Sequence, residues 1–463
     1  MSDHLIEAAL ALPRMSSEWS SNDWMRFSDS QTVDVTPNCT VVVPAHGNQK
    51  RLNAVIRALS HQTYSRSHWE LIVVDDGSDP PLEVRADVGV RCRILRQERD
   101  GFGAGRARHL GATHADRASS VLVFLDSDML PEQDWLEAHL QVHARVPRAL
   151  VCGFRRHVKQ TIVEPEHVVA GTPIQDLFGK AGVVEPEWLL REWTRTSWGV
   201  AKSNRLWRVT SSGNLSVARD VYQDCGGFDG EAFDQWGGED NDFGYRALQA
   251  GALVVPQQQA IAYHLGLGTT AEAGADRLLR RSRLQLGARL PPSEIQGLRH
   301  VVPVYPDSLV EYDLRQTDLE DVVRLVKAAA ALPISDRLRT RFVVRKGSDV
   351  ASLLVDVLSL DGRFSVVVAD EKETTQTEFV PSRVLATAEA ASIDPQLCVR
   401  LAGALKEGGT GVLSIVNDSG MVVYHGQLTR IANQVRTGLL TPSQAFNRYG
   451  GRVASLDEIP MGV

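Results

Sequence analysis

Pairs of acidic residues end two apolar runs of this sequence. Asp126 and Asp128 close the run SSVLVFLDSDML, and Asp75 and Asp76 close the run WELIVVDDGSD. In an extended chain, residues two apart point to the same side, so the first pair presents two hard oxygen ligands together. Such ligands suit Mg²⁺ or Mn²⁺, which also bind phosphate oxygens. A carboxylate of the second pair can accept a hydrogen bond from a base or a ribose, although either pair alone also fits an acidic turn.

A glycine-rich turn with two arginines lies between these runs. In GAGRARHLG, Arg106 and Arg108 stand at the start of a predicted helix. The positive end of a helix and a guanidinium group both favour a diphosphate ligand, and a solvated helix start is the alternative interpretation. The segment is not a GxGxxG motif after the first strand, so a dinucleotide-binding fold is not indicated.

A further acidic cluster occupies DQWGGEDNDFGYR, residues 234–246, beside a tryptophan and two glycines. Its apolar residues are too few for a buried helix or a strand. The segment EDNDFGYRALQAG predicts a helix that begins near Glu239 and ends at Gly251. Acidic residues in a first helical turn are favoured by the helix dipole, which is the structural explanation for their presence.

The elements that must position these residues alternate in type. Short apolar runs, CTVVVPA, ELIVVDD, CRILRQ and VLVFLD, are separated by segments with helical spacing. This alternation predicts βαβ units and a mostly parallel sheet, whose strands are buried on both faces. Ligands of such sheets bind beyond the carboxyl ends of the strands. Both acidic pairs are therefore expected at that edge.

The composition excludes several classes of protein. A net charge of −7 without a basic block does not indicate a nucleic-acid partner. Five scattered cysteines with no CxxC pair are typical of reduced thiols in a cytoplasm. The N-terminal segment does not resemble a signal peptide, and no apolar run approaches the roughly 20 residues of a membrane span. We therefore expect a cytoplasmic protein with no transmembrane segment, whose contact with a membrane, if any, is peripheral.

Taken together, the motifs resemble a known family. VVVPAHG, VVDDGS, GRARHLG and FLDSDM, in this order, resemble family-2 glycosyltransferases of the GT-A fold. SSGNLSVARDVYQDCGGFD resembles the acceptor-side segment of that family. WGGEDNDFGYR resembles the motif shared by chondroitin-type polymerases, β-1,4-galactosyltransferases and polypeptide N-acetylgalactosaminyltransferases, and AYHLG resembles the segment with their metal-binding histidine. The resemblance covers roughly residues 40–268.

The resemblance implies roles for individual residues. Asp240 is expected to be the catalytic base, and the adjacent Glu239 is expected to bind acceptor hydroxyls. Asp128 and His264 are expected to hold Mn²⁺ or Mg²⁺. The residues implied in donor binding are Pro44, Asp75, Asp76, Arg106, Arg108 and Asp126. Those implied in acceptor binding, besides Glu239, are Asn214, Trp236 and Gly238.

These roles predict an inverting, metal-dependent transfer of a sugar from a UDP-sugar to a hydroxyl of an acceptor whose identity the sequence does not give. One alternative is a sugar-1-phosphate nucleotidyltransferase, which needs a glycine-rich basic loop after the first strand; PAHGNQKRL supplies one glycine there. The other is a non-enzymatic scaffold that binds nucleotide sugars.

The sequence predicts four regions: an N-terminal arm over 1–39, a GT-A domain over 40–268, a linker helix within 269–304 and a smaller α/β domain over 305–463. Within the GT-A domain, 40–149 would bind the nucleotide sugar and 150–268 the acceptor. The last region is expected to mediate any homo-oligomerisation.

The last region also resembles a damaged repeat of the first. RFVVRKGSDVASLLVDVLS is similar to the first strand and helix of the GT-A domain, and FSVVVADE is similar to the second strand. GVLSIVNDSGM would then replace Asp126 and Asp128 by Asn417 and Ser419. One interpretation is a degenerate nucleotide-binding half without a metal site. The other is that any βαβ unit gives this pattern.

Overall fold

The computed structural model divides the chain into two compact units, one spanning Ser20–Arg283 and the other containing Leu284–Val463. The structure describes residues 22–27, 36–84, 89–179, 182–184, 186–200, 205–233, 235–267, 275–291, 307–315, 319–330, 338–348, 351, 354, 358, 364–370, 382–386, 398, 412–416, 422–439 and 451–455.

The first unit is built on one mixed sheet, in the strand order β3-β2-β1-β4-β8-β6-β9-β5, with β7 beside β6. Its strands are β1 (Cys39–Ala45), β2 (Trp69–Asp76), β3 (Arg91–Gln97), β4 (Val121–Leu125), β5 (Met129–Pro131), β6 (Ala149–Val158), β7 (Val183–Val184), β8 (Asn214–Ala218) and β9 (Leu253–Leu265).

The parallel half of this sheet is the predicted one. β1 lies between β2 and β4, and Val42 is in register with Ile72 on one side and Phe124 on the other. All three strands are buried along their whole length, as their runs of Val, Ile and Leu predict. The prediction of an α/β domain with a mostly parallel sheet is confirmed. Asp75 and Asp76 are the last two residues of β2 and Asp126 follows β4, so both acidic pairs lie at the carboxyl edge.

The helices of this unit are α1 (Gln49–Ser60), α2 (Ala104–Thr113), α3 (Trp135–His143), α4 (Glu187–Arg195), α5 (Arg219–Asp224) and α6 (Glu239–Gln249), and α7 (Ala275–Arg289) crosses the boundary between the two units. α1 begins where the side chain of Asn48 accepts a hydrogen bond from the backbone N–H of Arg51 at 3.1 Å. α2 lies close to the sheet because Gly111 has no Cβ, which would stand 2.4 Å from a methyl carbon of Val42. α7 lies within the predicted linker helix.

Asn22, in the predicted N-terminal arm, is hydrogen-bonded to the rest of the first unit. The side chain of Asn22 is buried and donates hydrogen bonds to the carbonyl oxygens of Gly199 and Val254 at 3.0 and 2.8 Å. It also accepts one from the backbone N–H of Val254 at 2.7 Å. Asn22 thus pairs with the loop at Gly199 and with β9, and no local pattern in the sequence predicts this contact.

The second unit contains strands β10 (Ser308–Asp313), β11 (Leu338–Arg345), β12 (Phe364–Ala369), β13 (Ser382–Ala386), β14 (Val412–Val416), β15 (Val422–Leu428) and β16 (Gly451–Ser455), with helices α8 (Leu319–Ala330) and α9 (Thr429–Arg436). Its strand order is β12-β11-β10-β13-β15-β14-β16. The first seven strands of the other sheet have the equivalent order.

The strand directions also agree between the two sheets. The first four strands are parallel in each, the next is antiparallel to its neighbours on both sides, and the last two of the seven are parallel to one another. The proposed alignment of the repeat was nevertheless wrong by one strand. β11 occupies the position of β2, whereas the alignment placed it at β1. β14 occupies the position of β6, so the segment that contains it was not the equivalent of β4. Asn417 and Ser419, the predicted replacements of Asp126 and Asp128, lie outside the described residues.

No helix in the described parts of the chain is long and apolar enough to cross a membrane.

Candidate active site at the carboxyl edge of the first sheet

Asp128 and His264 form the predicted metal side of the site. The Nε2 atom of His264 lies 3.6 Å from Oδ2 of Asp128, and the two side chains are 17% and 28% exposed. The sheet fixes this approach, because Met129 in β5 is in register with His264 in β9 and the N–H of Leu265 donates to the carbonyl oxygen of Asp128 at 2.9 Å. Burial raises the pKa of Asp128, and His264 opposes the shift.

A backbone carbonyl orients the imidazole of His264. Its Nδ1 lies 3.1 Å from the carbonyl oxygen of Gly266, so Nδ1 carries the proton and Nε2 is free toward Asp128. One carboxylate and one neutral imidazole suit Mn²⁺ or Mg²⁺ when phosphate oxygens and water complete the shell. Within the residues that the structure describes, no group of three or more His, Cys, Asp and Glu side chains converges on a metal position.

Arg108 bridges Asp126, which is predicted to bind the donor, and Glu239, which is predicted to bind the acceptor. It is 4% exposed, and its guanidinium lies 2.7 Å from Oδ1 of Asp126 and 3.4 Å from Oε1 of Glu239. Burial alone would lower the pKa of Arg108, but Asp126 and Glu239 outweigh burial and raise it. The arginine therefore stays charged and connects two acids that are far apart in sequence.

The acids of α6 are presented by two consecutive glycines. Gly237 and Gly238 have φ angles of 97° and 105°, in the left-handed region that favours glycine, and α6 begins at Glu239 directly after them. Burial and the neighbouring Asp240 raise the pKa of Glu239 to about 7, and Arg108 opposes them. Oε2 of Glu239 is buried and has no hydrogen-bond partner.

Asp240 differs from Glu239 in its surroundings. It is partly exposed, and its Oδ1 accepts a hydrogen bond from the backbone N–H of Asn241 at 2.9 Å. Burial raises its pKa, while Arg108 and Arg155 lower it. No cation of the described residues lies within ion-pair distance of this carboxylate. One of its oxygens is therefore available to a substrate proton.

The acids after β2 are engaged with their own loops. Oδ1 of Asp75 accepts the N–H of Ser78 at 2.9 Å, Oδ2 accepts that of Leu82 at 3.2 Å, and Arg96 also contacts Oδ2. Burial would raise the pKa of Asp75, but the bonds from Ser78 and Leu82 and the charge of Arg96 outweigh it and lower the pKa. Asp75 thus shapes the loop, and its contact with a uridine remains a prediction.

Asp76 fastens the start of α2 to the same edge. Its carboxylate accepts hydrogen bonds from the side chain of Gln97 at 2.8 Å and the backbone N–H of Gly103 at 3.1 Å, and Arg99 pairs with it at 3.1 Å. The carboxylate therefore holds the glycine turn that precedes Arg108.

Comparison with known families assigns the region. Residues 40–189 match the model of a family described as glycosyl transferase family 2. This region belongs to that family. Residues 200–264 match a second family, described as the N-terminal domain of galactosyltransferase. The first unit therefore carries a glycosyltransferase domain, and the predicted resemblance to family-2 glycosyltransferases is confirmed. The resemblance of WGGEDNDFGYR to a shared acceptor motif stays a prediction.

Curated relatives match the same part of the chain. A chondroitin synthase of Escherichia coli is 27% identical over 272 residues, which cover 53% of this chain and 38% of that protein. A validoxylamine A glucosyltransferase of Streptomyces hygroscopicus subsp. limoneus is 27% identical over 253 residues, covering 52% of this chain and 55% of that protein. The chain therefore spans less than two thirds of either relative.

Among solved structures, a mannosyltransferase from Pyrobaculum calidifontis in complex with GDP-Man and Mn²⁺ is 16% identical, with a TM-score of 0.34. That match covers 61% of this chain and 71% of the mannosyltransferase.

Three residues that were predicted to bind the donor or the acceptor make contacts that do not by themselves indicate either role. Pro44 is buried in β1 in register with Val74. Arg106 donates to the carbonyl oxygen of Asp100 at 2.7 Å. Trp236 is partly exposed in the loop before α6. Their roles in donor and acceptor binding remain predictions.

Asn214 lies in the core of the domain. It is 2% exposed, its Oδ1 accepts hydrogen bonds from Trp135 and His139 at 2.8 and 2.9 Å, and its amide donates to the carbonyl oxygens of Phe154 and Ala260 at 3.1 and 2.9 Å. These four bonds use the full hydrogen-bonding capacity of an asparagine. The geometry favours a structural role over the predicted contact with the acceptor.

The same network makes stability depend on pH through His139. This histidine is fully buried, and burial lowers its pKa from 6.5 to about 4, opposed by the bond to Asn214. Below pH 6.5, His139 takes up a proton in the unfolded chain but stays neutral in the folded chain. The free energy of unfolding is therefore unaffected above pH 6.5, and it falls by about 1.4 kcal/mol per pH unit as the pH drops from 6.5 toward 4.

We expect His139→Gln to lack this pH-dependent loss of stability. Urea unfolding at pH 7.5, 6.5 and 5.5 gives the free energy of unfolding of both proteins, and the difference between them isolates His139 because the other titrating groups are common to both. The stability advantage of the wild type over the variant should narrow below pH 6.5. Parallel curves would show that His139 is protonated in the folded protein.

Two residues of β6, His157 and Arg155, were not predicted from the sequence. His157 is in register with His264, and the two rings lie 4.9 Å apart. Its Nδ1 is 3.3 Å from the same Gly266 carbonyl oxygen, and burial and Arg155 lower its pKa to about 4. Arg155 is the second residue. Neither has a signal in the local sequence.

Proposed function

We propose that the protein is an inverting, metal-dependent glycosyltransferase that moves a sugar from a UDP-sugar to an acceptor hydroxyl. The observation that carries the proposal is that Arg108 joins Asp126, at the strand end next to Asp128, to Glu239, at the start of the helix that holds Asp240. Donor-side and acceptor-side acids thus belong to one site. The family of residues 40–189 supports this reaction class.

In this proposal Asp128 and His264 would hold the divalent ion. The bound ion would supply Lewis-acid neutralisation of the departing diphosphate. The acceptor oxygen forms a bond to the anomeric carbon while the bond from that carbon to the diphosphate oxygen breaks. Asp240 takes the acceptor proton, a form of help typically worth about 10²- to 10⁴-fold.

The neighbouring side chains position the acceptor. Glu239 is held by Arg108, so one of its oxygens is fixed while the other, Oε2, is available to an acceptor hydroxyl. Trp236 offers an apolar face for the C–H side of a sugar ring. The donor sugar and the acceptor are open in this proposal.

Release of UDP tests the proposal. Purified protein is incubated with a panel of UDP-sugars, with Mn²⁺ or with EDTA, and free UDP is measured. We expect release from at least one UDP-sugar with Mn²⁺ and none with EDTA. Release that is unaffected by EDTA would refute metal dependence, and formation of UTP from pyrophosphate and a UDP-sugar would indicate the nucleotidyltransferase instead.

His264→Ala is expected to raise the Mn²⁺ concentration for half-maximal activity by about tenfold or more, because one of two protein ligands is lost. Its stability should change little, since the side chain is partly exposed and its one hydrogen bond within the described residues is to Gly266. His68→Ala serves as the control, because His68 contacts Asn38 near the opposite end of β2. An unchanged Mn²⁺ requirement with a much lower melting temperature would make His264 a structural residue.

A further inference from the structure

Arg155 lies in the second half of β6 and is partly buried. In β6 and β9, which run parallel, Arg155 is in register with Ala262 and His157 with His264. Side chains two apart in a strand point to the same face, so Arg155 shares a face with both histidines. The alternate positions Val158 and Leu265 are buried in the core of the domain. The arginine therefore projects on the side of the sheet that carries the metal pair.

The charge of Arg155 reaches both halves of the site. Burial raises the pKa of Asp128 and of Asp240, and the positive charge of Arg155 opposes the shift at both carboxyls. The geometry ties Arg155 to the metal side, because it shares a face of β6 with His157, which is in register with His264, and His264 lies 3.6 Å from Asp128. In the proposed function, the departing diphosphate lies on this side of the site.

Arg155 has no partner within the described parts of the protein. Its Nε is buried without a hydrogen bond, and its guanidinium makes no ion pair there. Arg108 and Arg148, in contrast, are each paired with two carboxylates. A partly buried guanidinium without a partner is unfavourable unless an anion binds to it.

We propose that Arg155 binds the diphosphate of the nucleotide-sugar donor and stabilises it as the bond to the sugar breaks. The inference rests on the proposed function and adds a residue to it. A guanidinium is a planar fork of donors that matches phosphate oxygens, and preorganised cations act where charge develops in the transition state. The diphosphate is the anion that every turnover would bring next to the ion on Asp128.

Calorimetric titration of Arg155→Met with UDP and with UMP, both in Mn²⁺, tests this inference without turnover. Charge-assisted hydrogen bonds predict UDP binding that is about 10- to 100-fold weaker than in the wild type. UMP lacks the second phosphate, and its affinity should change by about twofold or less. Arg155→Lys keeps the charge but loses the fork, so its UDP affinity should fall between the two.

Arg156→Met is the matched control. Arg156 is the next residue of β6, it points to the other face and it contacts Gln175 at 3.5 Å. Its UDP affinity should equal that of the wild type. Melting temperatures of all variants show whether they fold. If Arg155→Met does not fold, the UDP and UMP affinities of Arg155→Lys are compared with those of the wild type instead.

Three results would overturn the inference. Equal UDP affinity in wild type and Arg155→Met would show that the guanidinium does not contact the diphosphate. An equal loss for UDP and UMP would show a general disturbance of the site. Absence of Mn²⁺-dependent UDP binding by the wild type would overturn the proposed function first, and this inference with it.

Discussion

Asp128→Ala is expected to abolish metal-dependent transfer while the protein stays folded. Loss of the one carboxylate ligand removes a Lewis-acid contribution of several kcal/mol, which corresponds to a rate loss of about 10³-fold or more. The melting temperature should change little, because the backbone carbonyl of Asp128 keeps its bond to Leu265 and the side chain is partly exposed. Burial also raises the pKa of Asp128, so the unliganded carboxylate adds little to stability.

Calorimetry with UDP and Mn²⁺ separates binding from turnover in this variant. UDP affinity in Mn²⁺ should fall toward the affinity measured in EDTA, and the affinity in EDTA should equal that of the wild type. Asp134→Ala is the control, since Asp134 is an exposed acid before α3 whose side chain makes no capping bond. Wild-type turnover and Mn²⁺-dependent UDP binding by Asp128→Ala would show that the metal site is elsewhere.

The acidic strand ends were predictable because their signals are local. A run of Val, Ile and Leu specifies a strand buried on both faces, and the acids directly after it must then lie at the edge. The rule that parallel strands end at one edge places Asp75 and Asp126 together without further information. The glycines before Glu239 likewise carried their own signal, because few other residues adopt φ angles near 100°.

The partners of these acids were not predictable. Arg108 meets Glu239 across 131 residues, and nothing in either segment specifies the other. Arg155 and His157 share a face with His264 because β6 pairs with β9 in one particular register. A shift of one residue would turn both side chains to the opposite face. Asn214 was assigned to the acceptor from a motif, whereas its buried side chain is bonded to four partners on three elements, α3, β6 and β9.

The misaligned repeat has a physical cause. β10 reads SLVEYD, and an acid in the middle of a short run argues against a buried strand. Glu311 is nevertheless buried there, because Arg341 on β11 and Arg383 on β13 both pair with it. The pairing exists only once the sheet has formed. Without β10, every later strand of the second unit was counted one position too early.

The equivalent strand order of the two sheets allows the acidic strand ends of the first unit to be compared with the same positions in the second. The position of β2, which ends in Asp75 and Asp76 in the first unit, is held in the second unit by β11, which ends in Val344 and Arg345. An acidic pair at this edge is therefore replaced by an apolar residue and a cation. The hypothesis of a degenerate copy requires the same strand order in both sheets. That order agrees once β10 is matched to β1 and the later strands follow.

Asp240→Asn is expected to keep donor binding and to lose transfer by about 10²-fold or more, the range of general-base catalysis. The amide oxygen of asparagine can still accept the N–H of Asn241, so α6 keeps its first turn. The amide cannot take the acceptor proton. Single-turnover rates measure the chemical step, and UDP affinity in Mn²⁺ measures the binding that should survive.

Glu239→Gln is the matched variant, because it changes the adjacent acid by the same substitution. It should mainly raise the acceptor KM, since a residue that holds hydroxyls in ground and transition states alike affects binding more than kcat. Some loss of stability should accompany it, because Arg108 is then left with Asp126 as its one charged partner. Adjacent residues on a helix diverge by about 100°, so the two acids cannot share one task.

The reverse outcome is chemically reasonable and would be informative. Glu239 has a pKa of about 7, close to the value that suits a general base at neutral pH. What argues against it is the ion pair, because Arg108 holds one oxygen of Glu239, whereas Asp240 is partly exposed and unpaired among the described residues. A Glu239→Gln variant without chemistry, beside a nearly active Asp240→Asn, would keep the glycosyltransferase and move its base by one residue.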